Sequence, residues 1–350
     1  MANFDDLQGA VAQMGAGNKV IYDDIGMPSI MVGVPKMTYA DIITGGTSEV
    51  LPFFVVEGNE KNTIWVSKFQ NIVENDRAYS LAMKLPKNYI TFDAALAACR
   101  KKGNGWHLNQ TGIFAVLNLL SQKMGTVPHG NTNYGKDYYH AYEHGIQPQG
   151  ETQRTLTGSG EPTWYHNHDT SGIADLNGNV WEWTGGLRLM NGEIQIIPYG
   201  NSMKIDCDMS AASTLWKAIM PNGNLVEPGT AGTLKIDRTS ASDATPKIST
   251  TVTTQTTDSN DTNCIFKNLA AASGVSIPKL LVALGLFPDS GASYGNDHFW
   301  ARNNGERLPV RGSAFGNTSN SGASALMLVL PPLLLQRRHW FPLRFLRTVN

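Results

Sequence analysis

Cysteine is scarce: Cys99, Cys207 and Cys264 are the whole complement of a 350-residue chain. They are far apart and odd in number. No Cys-x-x-Cys pair exists, so a zinc ribbon is excluded, and a disulfide-stapled secreted scaffold with it. At least one thiol stays free, so folding is expected in a reducing compartment. A charge excess is missing too. Lys and Arg number 28 against 29 Asp and Glu, for a formal net charge of −1. Without a basic field, neither nucleic acid nor an anionic membrane is expected as a partner. Long apolar runs are also absent. The longest, around 113–120 and 325–335, are too short or are broken by proline, so no bilayer-spanning segment is read. Residues 1–16 hold Asp5 and Asp6 and no basic stretch leading into an apolar core. No signal peptide is read there, and a route outward by lysis or a special pathway is expected if the protein works outside a cell.

What is present is a globular composition rich in glycine, with 35 Gly, which suits many turns and irregular loops. Residues 1–60 read as a leading extended segment, in which Pro28, Ile30, Val32 and Val34 alternate as a strand does. Ile64-Trp65-Val66-Ser67-Lys68-Phe69 reads as a strand entering a main domain over 61–350. Thr91 can cap a helix with Phe92, Ala95, Leu96 and Cys99 on one face and Gly103 and Gly105 beyond its end. A second helix is predicted over about 109–124, with Ile113, Val116, Leu117 and Leu120 at helical spacing. Residues 125–172, rich in His, Gly, Asn, Tyr and Thr, read as long loops. Residues 235–262, rich in Thr, Ser and Asp, read as an exposed insert or flexible hairpin. Helices early and strands late give an α+β class.

Two motifs are specific. One is Asp175-Leu176-Asn177-Gly178-Asn179-Val180-Trp181-Glu182-Trp183-Thr184, and the other is Asn303-Asn304-Gly305-Glu306-Arg307-Leu308-Pro309-Val310-Arg311-Gly312. The first places two indoles, Trp181 and Trp183, on one strand face as a core anchor. Together they resemble the formylglycine-generating-enzyme-like branch of the C-type lectin fold, over roughly residues 50–340. The resemblance implies a C-type-lectin-like α+β domain with two helices, a small antiparallel sheet and long irregular loops.

Within that branch the enzymes carry a pair of cysteines, after a motif matching the one that begins at Arg311, as copper ligands. Nothing after Cys264 is cysteine here, so an oxidoreductase of that kind is disfavoured. The related sulfoxide synthases need a helical domain with a His-x3-His-x-Glu iron motif, which is not found. Calcium-dependent sugar lectins usually carry a Glu-Pro-Asn or Gln-Pro-Asp loop, and neither tripeptide occurs. The remaining relatives are the variable proteins of diversity-generating retroelements. Their fixed positions match Arg311, Gly312, Gly322, Ala325, Leu326 and Leu328. Ala314, Phe315, Gly316, Thr318, Ser324, Met327, Val329 and Leu330 sit where that family varies, within a variable region taken as 311–350. In the family these side chains share one exposed face, which implies a binding protein and not an enzyme. Its partner is expected to be a protein or glycan on a target cell, and its place a phage particle or a bacterial surface.

The resemblance also implies a structural calcium ion. Its ligands would be the side chains of Asp175 and Glu182 and the carbonyls of Gly178 and Val180, hard oxygens of the kind calcium takes. The same stretch also reads as a capped turn with Glu182 paired to an arginine. His140 with His144, and His166 with His168, have spacings that can hold zinc, but no acid or cysteine completes either set, and loop histidines are the plainer reading. No organic cofactor is implied.

The C-terminus departs from the family, which ordinarily closes with Ile-Gly-Phe-Arg. Codons for that ending, read from their third base, give Trp-Phe-Pro-Leu, and residues 339–343 are His-Trp-Phe-Pro-Leu. A frameshift between about Leu328 and His339 is inferred. The closing strand of the sheet is then expected to be missing.

Overall fold

The computed structural model describes residues 4–332 and 345–347, with residues 4, 5 and 345–347 as backbone only. The chain is α+β, mostly sheet with few helices.

The first sheet runs Asn18–Tyr22, Pro28–Pro35, Thr63–Ser67, Phe345–Arg347, Trp106–Leu108 in spatial order, with every neighbouring pair antiparallel. The leading segment is therefore built into the fold. Its alternation buries Ile30 and Val20 in one cluster and Val32 and Val34 in the main core. It also forms a helix, Phe4–Gln13, which sequence reasoning passed over.

The two expected helices are Phe92–Arg100 and Thr111–Met124. Thr91 caps the first, its Oγ1 accepting from the Ala94 N–H at 3.2 Å. The second ends on Gly125 in the left-handed region at φ 70°, where a side chain would be strained. Among the described residues no helix is long and apolar enough to cross a membrane.

The second sheet corrects the expectation of a small antiparallel one. It has 12 strands, along a path from Thr262–Ile265 through His298–Ala301, Leu326–Leu330, Glu306–Arg311, Leu187–Met190, Glu193–Ile196, Lys235–Arg238 and Pro246–Ser249 to Ala270–Ala271. Two of its pairings are parallel: His298–Ala301 with Leu326–Leu330, and Pro246–Ser249 with Ala270–Ala271. The sheet is large because hairpins from the 190–260 stretch add to its edge. Residues 235–262 do form a hairpin, whose strands bury Ile236, Asp237 and Ile248 while much of 239–243 and 251–260 is exposed. Its hydroxyls make this possible by meeting buried acceptors, as when Thr253 Oγ1 donates to Asp237 Oδ2 at 2.6 Å.

The tail needs a correction as well. The closing place between Thr63–Ser67 and Trp106–Leu108 is taken by Phe345–Arg347, paired with Val66 and His107 through Leu346. Residues 339–343, on which the frameshift inference rests, lie outside the described residues.

Candidate functional site

The Glu306–Arg311 strand lies between Leu187–Met190 and Leu326–Leu330, and Glu182–Trp183 pairs with its last residues. Arg311 is sealed inside. Its guanidinium donates to Thr111 Oγ1 at 2.9 Å, to the Leu284 carbonyl at 2.6 Å and to the Gly285 carbonyl at 3.4 Å. Burial pulls its pKa down to about 9.

Beyond Arg311 the chain meets the Gly-Asn turn. Gly312 has φ +85°, and a Cβ there would lie 2.6 Å from the Leu176 carbonyl. Gly178 N–H donates to the Gly312 carbonyl at 2.6 Å, and Ser313 Oγ donates to Asn177 Oδ1 at 2.9 Å. A Cβ on Gly130 would come within 1.8 Å of the Asn177 carbonyl, so three backbones meet with no room for side chains. From this junction the 313–321 loop runs outward. It is tied to its neighbours by main-chain bonds: Phe315 N–H to Asn179 O at 3.2 Å, Tyr134 N–H to Phe315 O at 2.9 Å, and Thr318 N–H to Thr132 O at 2.9 Å.

The eight positions expected to vary do not form one exposed face. Gly316 is exposed, and Thr318 and Met327 are half-buried. Ala314, Phe315, Ser324, Val329 and Leu330 are buried, none more than 6% exposed. The reason is that the Leu326–Leu330 strand is packed on both faces. Leu326 and Leu328 join the main core, while Val329 and Leu330 join a second cluster around Trp181, Trp183 and Trp216, with Met327 and Trp300 against it.

Exposed on the 130–145 stretch are four tyrosines that sequence reasoning did not single out, two of which, Tyr134 and Tyr139, touch the loop. Tyr134, Tyr138, Tyr139 and Tyr142 are 49%, 42%, 54% and 77% exposed. Tyr134 packs its ring 5.5 Å from that of Phe315, and Tyr139 OH donates to the Ser319 carbonyl at 3.1 Å. The signal in the sequence was four tyrosines among Asn, Thr, Gly and His over residues 130–145.

The four residues expected to bind calcium do converge, on the side chain of Gln70. Its Nε2 donates towards the carbonyls of Asp175 at 3.0 Å, Gly178 at 3.3 Å and Val180 at 3.1 Å, and towards Glu182 Oε1 at 3.2 Å. Asp175 turns its carbonyl to this point, and its carboxylate Oδ2 accepts from Gly158 N–H at 2.9 Å. An amide NH2 has two hydrogens, fewer than the four oxygens around it. Gln70 Oε1 is buried without a hydrogen-bond partner.

Of the weaker histidine pairs, neither is brought to a shared site. His144 Nδ1 faces the Tyr142 carbonyl at 3.2 Å, and His166 Nδ1 accepts from Ile173 N–H at 2.8 Å. A cleft of about 810 Å³ is lined by Tyr39, Glu49, Phe53, Gln110, Tyr199 and Lys279 among others, and by no residue of the 313–330 segment.

No protein family and no curated relative matches the chain. Among solved structures it is similar to one titled Major Tropism Determinant P3c Variant, at TM-score 0.30 and 10% identity, over 95% of this chain and 71% of that one. A likeness that slight carries no argument about function.

Proposed function

We propose that this chain is a binding protein of C-type-lectin-like fold whose 313–321 loop and neighbouring tyrosines form the recognition surface. It belongs to the retroelement-diversified class and acts as a phage receptor-binding protein or a bacterial surface adhesin. Its target is a protein or glycan on a cell surface. The observation that carries the reading is the tyrosine group beside the loop. Tyr with Ser, Gly and Asn is the composition of adaptable paratopes, where Tyr gives contact area at low entropic cost and the small residues give flexible hydrogen bonding. The binding is without chemistry. The formylglycine-type cysteine pair is absent from the sequence. Burial pushes the Cys207 and Cys264 thiols up to about 11 and about 12, which keeps them protonated at neutral pH and unsuited to nucleophilic or thiolate chemistry.

Replacing Tyr138, Tyr139 and Tyr142 together with alanine is expected to weaken attachment to target cells by at least about tenfold, on the scale of lost interface anchors, with the melting curve little changed. Exchanging Gly316, Thr318 and Met327 is expected to change which cells in a panel are bound. Attachment indifferent to both sets would remove this surface from the account. In the flanking DNA, a reverse transcriptase gene and a near-copy of the segment coding for residues 311–350 are the expected companions.

Calcium fits the Gln70 point, since carbonyl and carboxylate oxygens are what it takes. The carbonyls of Asp175, Gly178 and Val180 and the Glu182 carboxylate would hold it, with Gln70 turning its Oε1 inward. The ion would tie the Gly-Asn turn and supply no chemistry. Added Ca2+ at a hundred times its Kd is expected to stabilise the fold by about 2.7 kcal/mol. Glu182→Gln abolishes that gain, whereas Asp175→Asn keeps it, because Asp175 acts through its carbonyl. Equal melting temperatures in calcium and in chelator would end this assignment.

A further inference from the structure

We infer that the 129–143 loop carries a second metal site, for a transition ion of the Zn2+ type, with His129, His140 and Glu143 as its protein ligands. One ligand atom from each lies within 4.8 Å of the other two. The atoms around a tetrahedral zinc stand about 3.3 Å apart, and His129 Nδ1 is already 2.9 Å from Glu143 Oε2. Two imidazoles and one carboxylate suit zinc and not calcium, which takes oxygen alone. The site thus shares neither residues nor chemistry with the Gln70 point, and it stands whether or not the chain is a receptor-binding protein.

The surroundings of the three ligands support the assignment. Glu143 is 3% exposed, and its Oε2 is oriented by Thr163 Oγ1 at 2.9 Å and Trp164 Nε1 at 3.0 Å. His140 Nδ1 is 3.1 Å from Asp137 Oδ1. With Nδ1 donating to that carboxylate, the Nε2 lone pair is left for an ion, which is how metal-bound histidines are commonly held. Asp137 is itself fixed, accepting from the Gly130, Tyr139 and His140 N–H groups.

The rings of His129 and His140 are stacked, with centroids 3.8 Å apart and planes 7° from parallel. Two parallel imidazoles cannot aim both lone pairs at one ion, because each metal bond lies in its own ring plane. Binding therefore requires one ring to turn. His140 is the ring that turns, with its side chain 38% exposed at the rim, pivoting about its Nδ1–Asp137 hydrogen bond so that Nε2 swings towards the ion. The ion would pin the loop that presents Tyr134, Tyr138, Tyr139 and Tyr142.

The test uses the full chain without an affinity tag, stripped by chelator and held in excess Ca2+. Titration with Zn2+ by calorimetry is expected to show one ion per chain, and Co2+ in its place to give the visible absorption of a tetrahedral N/O site. His140→Ala is expected to lower zinc affinity at least about a hundredfold, since losing a ligand costs more than losing a group that only orients one, while leaving the metal-free melting temperature unchanged. His144→Ala is expected to leave the affinity as it was. No uptake by the native chain at micromolar zinc overturns the inference. So does unchanged affinity in His140→Ala, or uptake of several ions that none of these substitutions alters.

Discussion

Arg311→Ala destabilises the folded chain by about 4 kcal/mol, measured as the loss of unfolding free energy in urea. The figure combines a cavity in a buried place with the orphaning of buried acceptors. Thr111 Oγ1 and the carbonyls of Leu284 and Gly285 all face this guanidinium and lose its donors together. The fork also links three parts of the chain, the Thr111–Met124 helix, the end of Lys279–Ala283 and the Glu306–Arg311 strand. Arg311→Lys keeps the charge but not the planar spread of donors, so it recovers only part of the loss. A cost below about 1 kcal/mol, or full recovery by lysine, would show that charge alone matters here.

The second large effect depends on pH. Asp297 is buried where the 313–321 loop returns to the sheet. Its Oδ2 accepts from Ser324 N–H at 2.7 Å, and a Cβ on Gly322 would lie 1.8 Å from its Oδ1. Burial raises its pKa from 3.8 to about 7, against the smaller opposing pull of the Ser324 N–H. Between those values the folded chain holds a proton that the unfolded chain has released. The stabilisation is therefore fully present below about pH 4 and lost as pH rises towards 7. The whole span is worth roughly 4 kcal/mol at 1.36 kcal/mol per unit. The difference in unfolding free energy between the native chain and Asp297→Asn, followed from pH 4 to pH 8, is expected to fall over that window. A flat difference would mean that the acid is ionised in the fold.

Local pattern carried much of the architecture. The alternation at Pro28–Pro35 and the apolar spacing at Thr111–Met124 were readable because each element buries a regular set of side chains. The convergence of Asp175, Gly178, Val180 and Glu182 came from a resemblance, and the fold does bring them together. Gln70 was invisible because it reaches that point from 105 residues away. Composition gave the hairpin at 235–262 but not its buried strands, because it counts hydroxyls as surface groups. It cannot show Asn303 exchanging hydrogen bonds with Thr256 in the interior. The Leu326–Leu330 strand was misjudged for the opposite reason. A strand with one outward face was expected, and its neighbours on both sides cover it. His129 and Glu143 show no pairing in the sequence, since they stand 14 positions apart in irregular chain.

The 313–321 loop is anchored by amide hydrogens and carbonyl oxygens at Phe315 and Thr318, groups that nearly every amino acid supplies alike. Side chains fix its course as well at Ser313, Phe315 and Asn317, so its freedom to vary is concentrated at the exposed Gly316. At Gly312, the residue just before the loop, and at Gly130, which meets the same junction from far along the chain, almost no rewriting is permitted. Tolerance and intolerance to mutation meet at a sharp border along the chain. A population of such chains could drift far at Gly316 before any member lost its shape.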